Sequence, residues 1–449
     1  MPAEPDGSRH QKVNDRLVLL IPFAITLFVI GLFIRQPLIF LAVPVMSLLG
    51  FSLLYLKPPH TDIEVSRILE KATVAEGEPC RVLLQVKNLR STGIAALQVR
   101  DLIPSQLDQR LTQNGFTFEL KGNETRELFY EVRPKTFGRY VLGPVVVSAE
   151  DVGGLIESSI VIGSRSALVV TPKSAGRLTR FAIRPRRTRL QPGNIPTRRT
   201  GSGLDYYNTR QFLAGESPKR INWRATARLT DEQSFMANDY VAELGADVMV
   251  VVDARNAGAL AARPDPACTY AVRAALSIAD RLLRDKNRVG LLAIGSSTPT
   301  LAPAIGSRQF NRMAVTLAKL EAGYLFSKSI AHTLHNLYPR VSQVVFISPL
   351  SDDFAFSAAA DLARDVAHST MIVSPNPLSF AAKDPGGGIN LREWVLARRL
   401  VELERKSKIS QLRAARTVVI DWNVSDPLDK VLDANRHMLV REFARPGRG

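Results

Sequence analysis

Residues 247–254 read DVMVVVDA, five consecutive apolar residues held between two aspartates. An unbroken apolar run of this length, rather than an alternating one, is what a strand shows when helices cover both of its faces. Working outward, RVGLLAIG (288–295), SQVVFISPL (342–350), STMIVSP (369–375) and RTVVIDW (416–422) repeat the pattern. Helical stretches are expected near 265–285, 308–321 and 391–413, with Asp426 as cap and Pro427 at the first position of a last helix. Strand–helix alternation argues a doubly wound α/β sheet over 245–449.

Ligands of such sheets gather at the carboxyl ends of the strands. There the sequence reads Asp253-Ala-Arg255-Asn-Ala257, and after a later strand FISPLSDD, with Pro349 followed by Asp352 and Asp353. The order of elements resembles a von Willebrand factor A domain, whose metal-binding form carries Asp-x-Ser-x-Ser after the first strand and a second aspartate after the fourth. On that resemblance Arg255 and Ala257 replace both hydroxyl ligands and Pro349 stands where the second aspartate is expected. A hard cation needs several oxygen ligands, and Arg255 adds repulsion where it would sit. No metal and no cofactor are therefore expected, and Asp253 is expected to pair with Arg255 or a neighbour.

Upstream, residues 173–228 carry fourteen Lys or Arg against two acids, Asp205 and Glu216, so most of the chain's +17 charge lies in one segment. Its first part is rich in Pro and Gly without apolar periodicity and reads as a linker. Its second part, GSGLDYYNTRQFLAGESPKRINWRATAR (201–228), resembles the signature of the family called domain of unknown function fifty-eight. Arg210, Gly215, Arg220, Ile221, Trp223, Ala227 and Arg228 fit that signature. Phe212 stands for its tyrosine, Glu216 for its aspartate, Ala214 for its proline and Thr226 for its serine. From the residues alone, Gly215 permits a tight turn, Glu216 has Arg210 or Arg220 as partner, and Trp223 is a large apolar anchor. The cluster Arg210, Gly215, Glu216, Arg220, Trp223 and Arg228 is read either as an interdomain staple or as a partner site.

Between 61 and 172 short alternating runs such as CRVLLQVKN, GFTFELKG and TRELFYEVR, separated by Gly, Asn, Ser and Pro, argue a β-sandwich of immunoglobulin type. No chemistry is evident in it. Before it, 17–34 and 38–56 are uncharged, apolar and nearly contiguous, which predicts a transmembrane helical hairpin. Arg9, Lys12 and Arg16 before it and Lys57 after it place both ends in the cytoplasm by the positive-inside rule, with residues 1–16 as a cytoplasmic tail. The expectation is thus an inner-membrane protein whose basic segment meets anionic lipid.

Cys80 and Cys268 stand far apart, which suggests neither a disulfide framework nor a zinc site and suits a reducing compartment. No His-Glu-x-x-His, P-loop or Gly-x-Ser-x-Gly pattern occurs among these residues. The expectation is a non-enzymatic, membrane-anchored scaffold. The family resemblance implies a MoxR-type AAA+ ATPase as the partner, in complex assembly or maturation. Two alternatives stay open: a metal-dependent adhesion module or enzyme using Asp253 with Asp352 or Asp353, and a nucleic-acid binder, for which interleaved aromatics are few.

Overall fold

The computed structural model describes residues 9–13, 60–104, 107, 114–150, 156–181, 183, 185, 189–195, 200–228, 235–241, 244–255, 266–320, 330–365, 369–380, 391–415 and 417–435, with isolated positions between 22 and 47. The chain divides into two units, 1–170 and 171–449.

The first unit is β-rich: β1 (Arg9–Val13), β2 (Ile63–Leu69), β3 (Thr73–Ala75), β4 (Cys80–Asn88), β5 (Ile94–Asp101), β6 (Gly115–Leu120), β7 (Thr125–Val132), β8 (Gly138–Leu142), β9 (Val145–Glu150), β10 (Ile156–Ile162) and β11 (Ser166–Thr171). They form sandwich-like sheets in the orders β1-β10-β9-β5-β6, β2-β4-β7 and β3-β11-β8. Period-two alternation sorts their side chains: Val82, Leu84 and Val86 of β4 are buried, Leu83 and Gln85 between them are half-buried, and Arg81 and Lys87 on either side face out.

Two of these sheets are tied through a charge. The Arg67 guanidinium (β2) donates to both oxygens of Asp101 (β5) at 2.9 and 2.6 Å, and to the carbonyls of Leu142 and Ser164 at 2.9 and 2.8 Å. Tyr130 (β7) donates its hydroxyl to Asp101 as well. Both charged side chains are 0% exposed. Burial first, and then the neighbouring Asp101 carboxylate, push the Tyr130 phenol far above its ordinary range. A raised pKa means that the protonated form is favoured by folding, so this contribution is complete below the ordinary tyrosine value of about 10 and is lost as pH rises beyond it. Alkaline titration of the wild type should therefore destabilise this unit above about pH 10, and Tyr130→Phe should flatten that limb. Identical alkaline limbs in urea midpoints followed by circular dichroism would refute the assignment.

The second unit is a mixed sheet with helices. After β12 (Arg189–Ile195), β13 (Thr200–Gln211), α1 (Trp223–Thr226), β14 (Met236–Val241) and β15 (Leu244–Gly245) come β16 (Asp247–Asp253), α2 (Pro266–Arg284), β17 (Arg288–Ile294), β18 (Thr300–Ala304), α3 (Ser307–Lys319), α4 (Ile330–Leu337), β19 (Gln343–Ile347), α5 (Asp353–Arg364), β20 (Ser369–Pro375), α6 (Leu391–Ala414), β21 (Val418–Trp422) and α7 (Leu428–Ala434). The six-stranded sheet runs β18-β17-β16-β19-β20-β21, parallel throughout except for β18, which is antiparallel at one edge. The chain starts at β16, builds outward to β17 and β18, then crosses back to β19, which leaves a switch point between β16 and β19.

Every residue of β16 is buried, as its unbroken apolar run requires. Met249 and Val251 on one face pack with Phe346, Ile372 and Val419 against Ile330, Leu334, Ala355, Ala359, Ile409 and Leu412 of α4, α5 and α6. Helix α2 contacts β16, β17, β19 and β20 and contributes nothing to that cluster, so it covers the alternate residues. Gly290 lets β18 close on β17: a Cβ there would lie 2.8 Å from the Leu301 carbonyl oxygen.

Four expectations are corrected. Among the described residues no helix is long and apolar enough to cross a membrane. Crossing takes about 20 consecutive apolar residues; α6, with 24, is studded with Arg, Lys and Glu, and α2, with 19, carries Arg273, Asp280, Arg281 and Arg284. The transmembrane hairpin, the membrane as a two-span partner and the inner-membrane localisation are thus not supported by the described residues, and the runs 17–34 and 38–56 lie almost wholly outside them. The last helix also begins later than expected, at Leu428, with Pro427 in the cap position and no side-chain cap. Asp426 instead offers its carbonyl to the Trp422 indole N–H at 2.9 Å.

Candidate functional site

At the switch point, β16 ends on Asp253 and β19 runs into Ser348-Pro349-Leu350, which delivers Asp352 to the start of α5. Arg255 lies between the two carboxylates. Its Nε and one terminal nitrogen donate to Asp253 at 2.9 and 2.8 Å, and its terminal nitrogens donate to Asp352 at 2.8 and 3.0 Å. Ser348 Oγ donates to the same Asp253 oxygen at 2.9 Å, and the guanidinium lies 4.7 Å from the centre of the Phe354 ring. Asp352 caps α5 by accepting from the Ala355 N–H at 2.8 Å.

Arg255 is 7% exposed and Asp253 2%. Burial works against the charged guanidinium, but the hydrogen bonds to Asp253 and Asp352 outweigh it and hold its pKa above the usual arginine value. Burial likewise opposes ionisation of Asp352, and Arg255, the Ala355 N–H and Lys408 together hold it below the ordinary aspartate range. A divalent cation here would have to displace a guanidinium already bonded to both carboxylates, so these residues do not fit the metal-binding form of the resembled family. Ala257 lies outside the described residues. Asp353 is exposed and pairs with Lys408 at 3.2 Å.

A second cation, invisible to motif reading, sits beside the first. Arg405 of α6 is 6% exposed and donates to the Pro349 carbonyl at 2.6 Å, to Ser374 Oγ at 2.9 Å and to Asp421 at 2.6 Å. Pro349 therefore contributes a carbonyl where a carboxylate was sought. The ends of β16, β19, β20 and β21 are thus closed by two arginines whose partners lie up to 97 residues away, a separation that leaves no local pattern in the sequence.

The basic signature forms a separate surface of the same unit. Strands β13 and β14 pair antiparallel. Arg210 at the end of β13 donates to Glu216 and, at 3.0 Å, to Asp239 of β14, and Glu216 also accepts the Leu213 N–H at 3.1 Å. Arg210 first, then the Leu213 N–H, holds the Glu216 carboxyl below the usual range, and Arg220 adds to the effect. Gly215 takes φ 96°, and nothing lies within 4 Å of where its Cβ would be, so conformation rather than space demands glycine. Asn222 caps α1 by accepting the Ala225 N–H at 2.9 Å and donates to Asn238 at 2.7 Å.

On this frame Trp223 is 64% exposed, edge-on to Phe235, which in turn meets Phe212. Tyr206, Tyr207 and Leu213 are exposed too, as are Lys219, Arg224 and Arg228, while Arg220 is half-buried. Of the residues expected here, Arg210 and Glu216 form the clamp, Gly215 the turn, and Trp223 and Arg228 the surface. Asp239, Asn222 and Phe235 were not foreseen; Asn222, placed just before a short apolar helix, carried a capping signal.

No curated protein matches the chain. Solved structures that it resembles include the CARDB domain of a Pyrococcus furiosus protein, 17% identical over 24% of this chain and 94% of that one, with a TM-score of 0.18. A non-cellulosomal cohesin from Archaeoglobus fulgidus is 12% identical over 24% and 91%, with a TM-score of 0.17. Such scores carry no argument about function. Residues 208–373, from the Arg210 clamp through the Arg255 crevice to β20, match the family model described as "Protein of unknown function DUF58".

Proposed function

We propose that the C-terminal unit is a non-enzymatic docking module that engages an acidic protein partner through the signature surface. The carrying observation is Trp223, two-thirds exposed on a backbone that Arg210, Glu216, Asp239 and Asn222 hold rigid. Tryptophan and arginine dominate the binding energy of protein interfaces, and a preorganised anchor loses little entropy on docking. Arg224, Arg228 and Lys219 around it favour a partner of opposite charge. The sheet order, with its switch point at β16, supports a von Willebrand factor A-like reading of the unit in which a tethered arginine takes the ion's place. The DUF58 resemblance supplies the class of partner, a MoxR-type AAA+ ATPase, and a scaffold role in assembly or maturation of a complex.

A purified ATPase of that class, titrated against the full chain, tests this directly. Trp223→Ala is expected to weaken binding by about 2 kcal/mol, roughly thirtyfold in Kd, and Arg224→Glu with Arg228→Glu to weaken it further, with unfolding midpoints unchanged. Equal affinities for wild type and both variants would sink the proposal, as would the absence of binding by the wild type.

A further inference from the structure

Helix α6 carries a second surface that the signature reading leaves unused. Its C-terminal half is anchored: Arg405, Ile409 and Leu412 are buried against the sheet and α5. From Arg392 to Glu404 no residue is buried. On this exposed half Leu396, Leu400 and Leu403 are 62%, 67% and 56% exposed. Their spacing of four and three residues sets them in one stripe, and at 100° per residue the stripe points about half a turn away from the anchored face. Three leucines at this spacing form a short apolar seam, bounded by Glu393 and Ser407, against which a second helix can pack.

The flanks specify the occupant. With Leu400 at position a and Leu396 and Leu403 at d, Arg392, Arg399 and Lys406 fall on the three g positions, seven residues apart. The e positions are Ala397, Glu404 and Gln411, a single carboxylate. A second copy would meet this basic row with one acid, and two chains of net charge +17 repel one another. We infer that the Leu396–Leu400–Leu403 stripe of α6 docks an amphipathic helix of a partner protein whose flanking positions are acidic. The inference stands apart from the signature surface and does not need it.

The probe is a synthetic three-heptad peptide with Leu at a and d and Glu at e and g, labelled for fluorescence anisotropy, against the same peptide with Lys at e and g. The full chain is expected to bind the Glu peptide at least tenfold more tightly than the Lys peptide. Leu396→Ala with Leu400→Ala and Leu403→Ala is expected to abolish the binding, and so is Leu400→Glu, a single change at an exposed site that leaves the fold intact. Equal binding of the two peptides, or Glu-peptide binding that survives Leu400→Glu, overturns the inference. So does sedimentation showing a dimer of the full chain that Leu400→Glu dissociates, which assigns the stripe to a second copy.

Discussion

Arg255→Ala should lower the unfolding free energy of the C-terminal unit by about 3–5 kcal/mol, the range for removing one partner of a buried ion pair. The loss comes mainly from Asp253, which is left in the core with, among the described residues, only Ser348 and the Arg255 N–H to accept from, rather than from Asp352, which reaches solvent. The two therefore separate by mutation. Adding Asp253→Asn to the alanine variant should recover much of the loss, because the stranded charge is gone, whereas adding Asp352→Asn should recover little. Urea unfolding followed by tryptophan fluorescence reads the result, since Trp223, Trp394 and Trp422 all lie in 171–449. A loss below about 1 kcal/mol would show that Asp253 finds other partners.

Arg67→Ala should cost the N-terminal unit a comparable amount, about 3–5 kcal/mol. Here no solvent route exists: Asp101 stays fully enclosed, and the carbonyls of Leu142 and Ser164 lose their donor. Arg67→Lys should rescue little, because an ammonium cannot span the bidentate contact and both carbonyls at once. The first unit has no tryptophan, so the transition should move in far-UV circular dichroism while the fluorescence transition stays in place. Coincident shifts in both signals would show that the two units unfold together.

These two arginines mark the limit of what the sequence carries. Alternation in CRVLLQVKN is a local property, and β4 spans those same nine residues; the unbroken VMVVV run likewise becomes the buried β16. Arg67 and Asp101, by contrast, are separated by 34 positions and Arg255 and Asp352 by 97, so no periodicity joins them. That Asp253 would meet Arg255 was legible because the two are near neighbours. Strand β18 escaped because TLAPA is short and contains Pro303, which an edge strand tolerates and a strand template rejects. Helix α5 was missed although Asp352 marks its start. The apolar runs before residue 57 gave a two-span expectation that the described residues do not support, since no helix among them is long and apolar enough to cross a membrane.

Because the positive group beside Asp253 is bonded covalently to the chain two residues away, it can neither wash out nor compete with other ions in solution. A crevice built this way holds one electrostatic state whatever the calcium or magnesium supply, and Asp352 passes that constancy to the first turn of α5. An exchangeable ion at the head of the sheet would first have to break the guanidinium away from both carboxylates, against four hydrogen bonds at once.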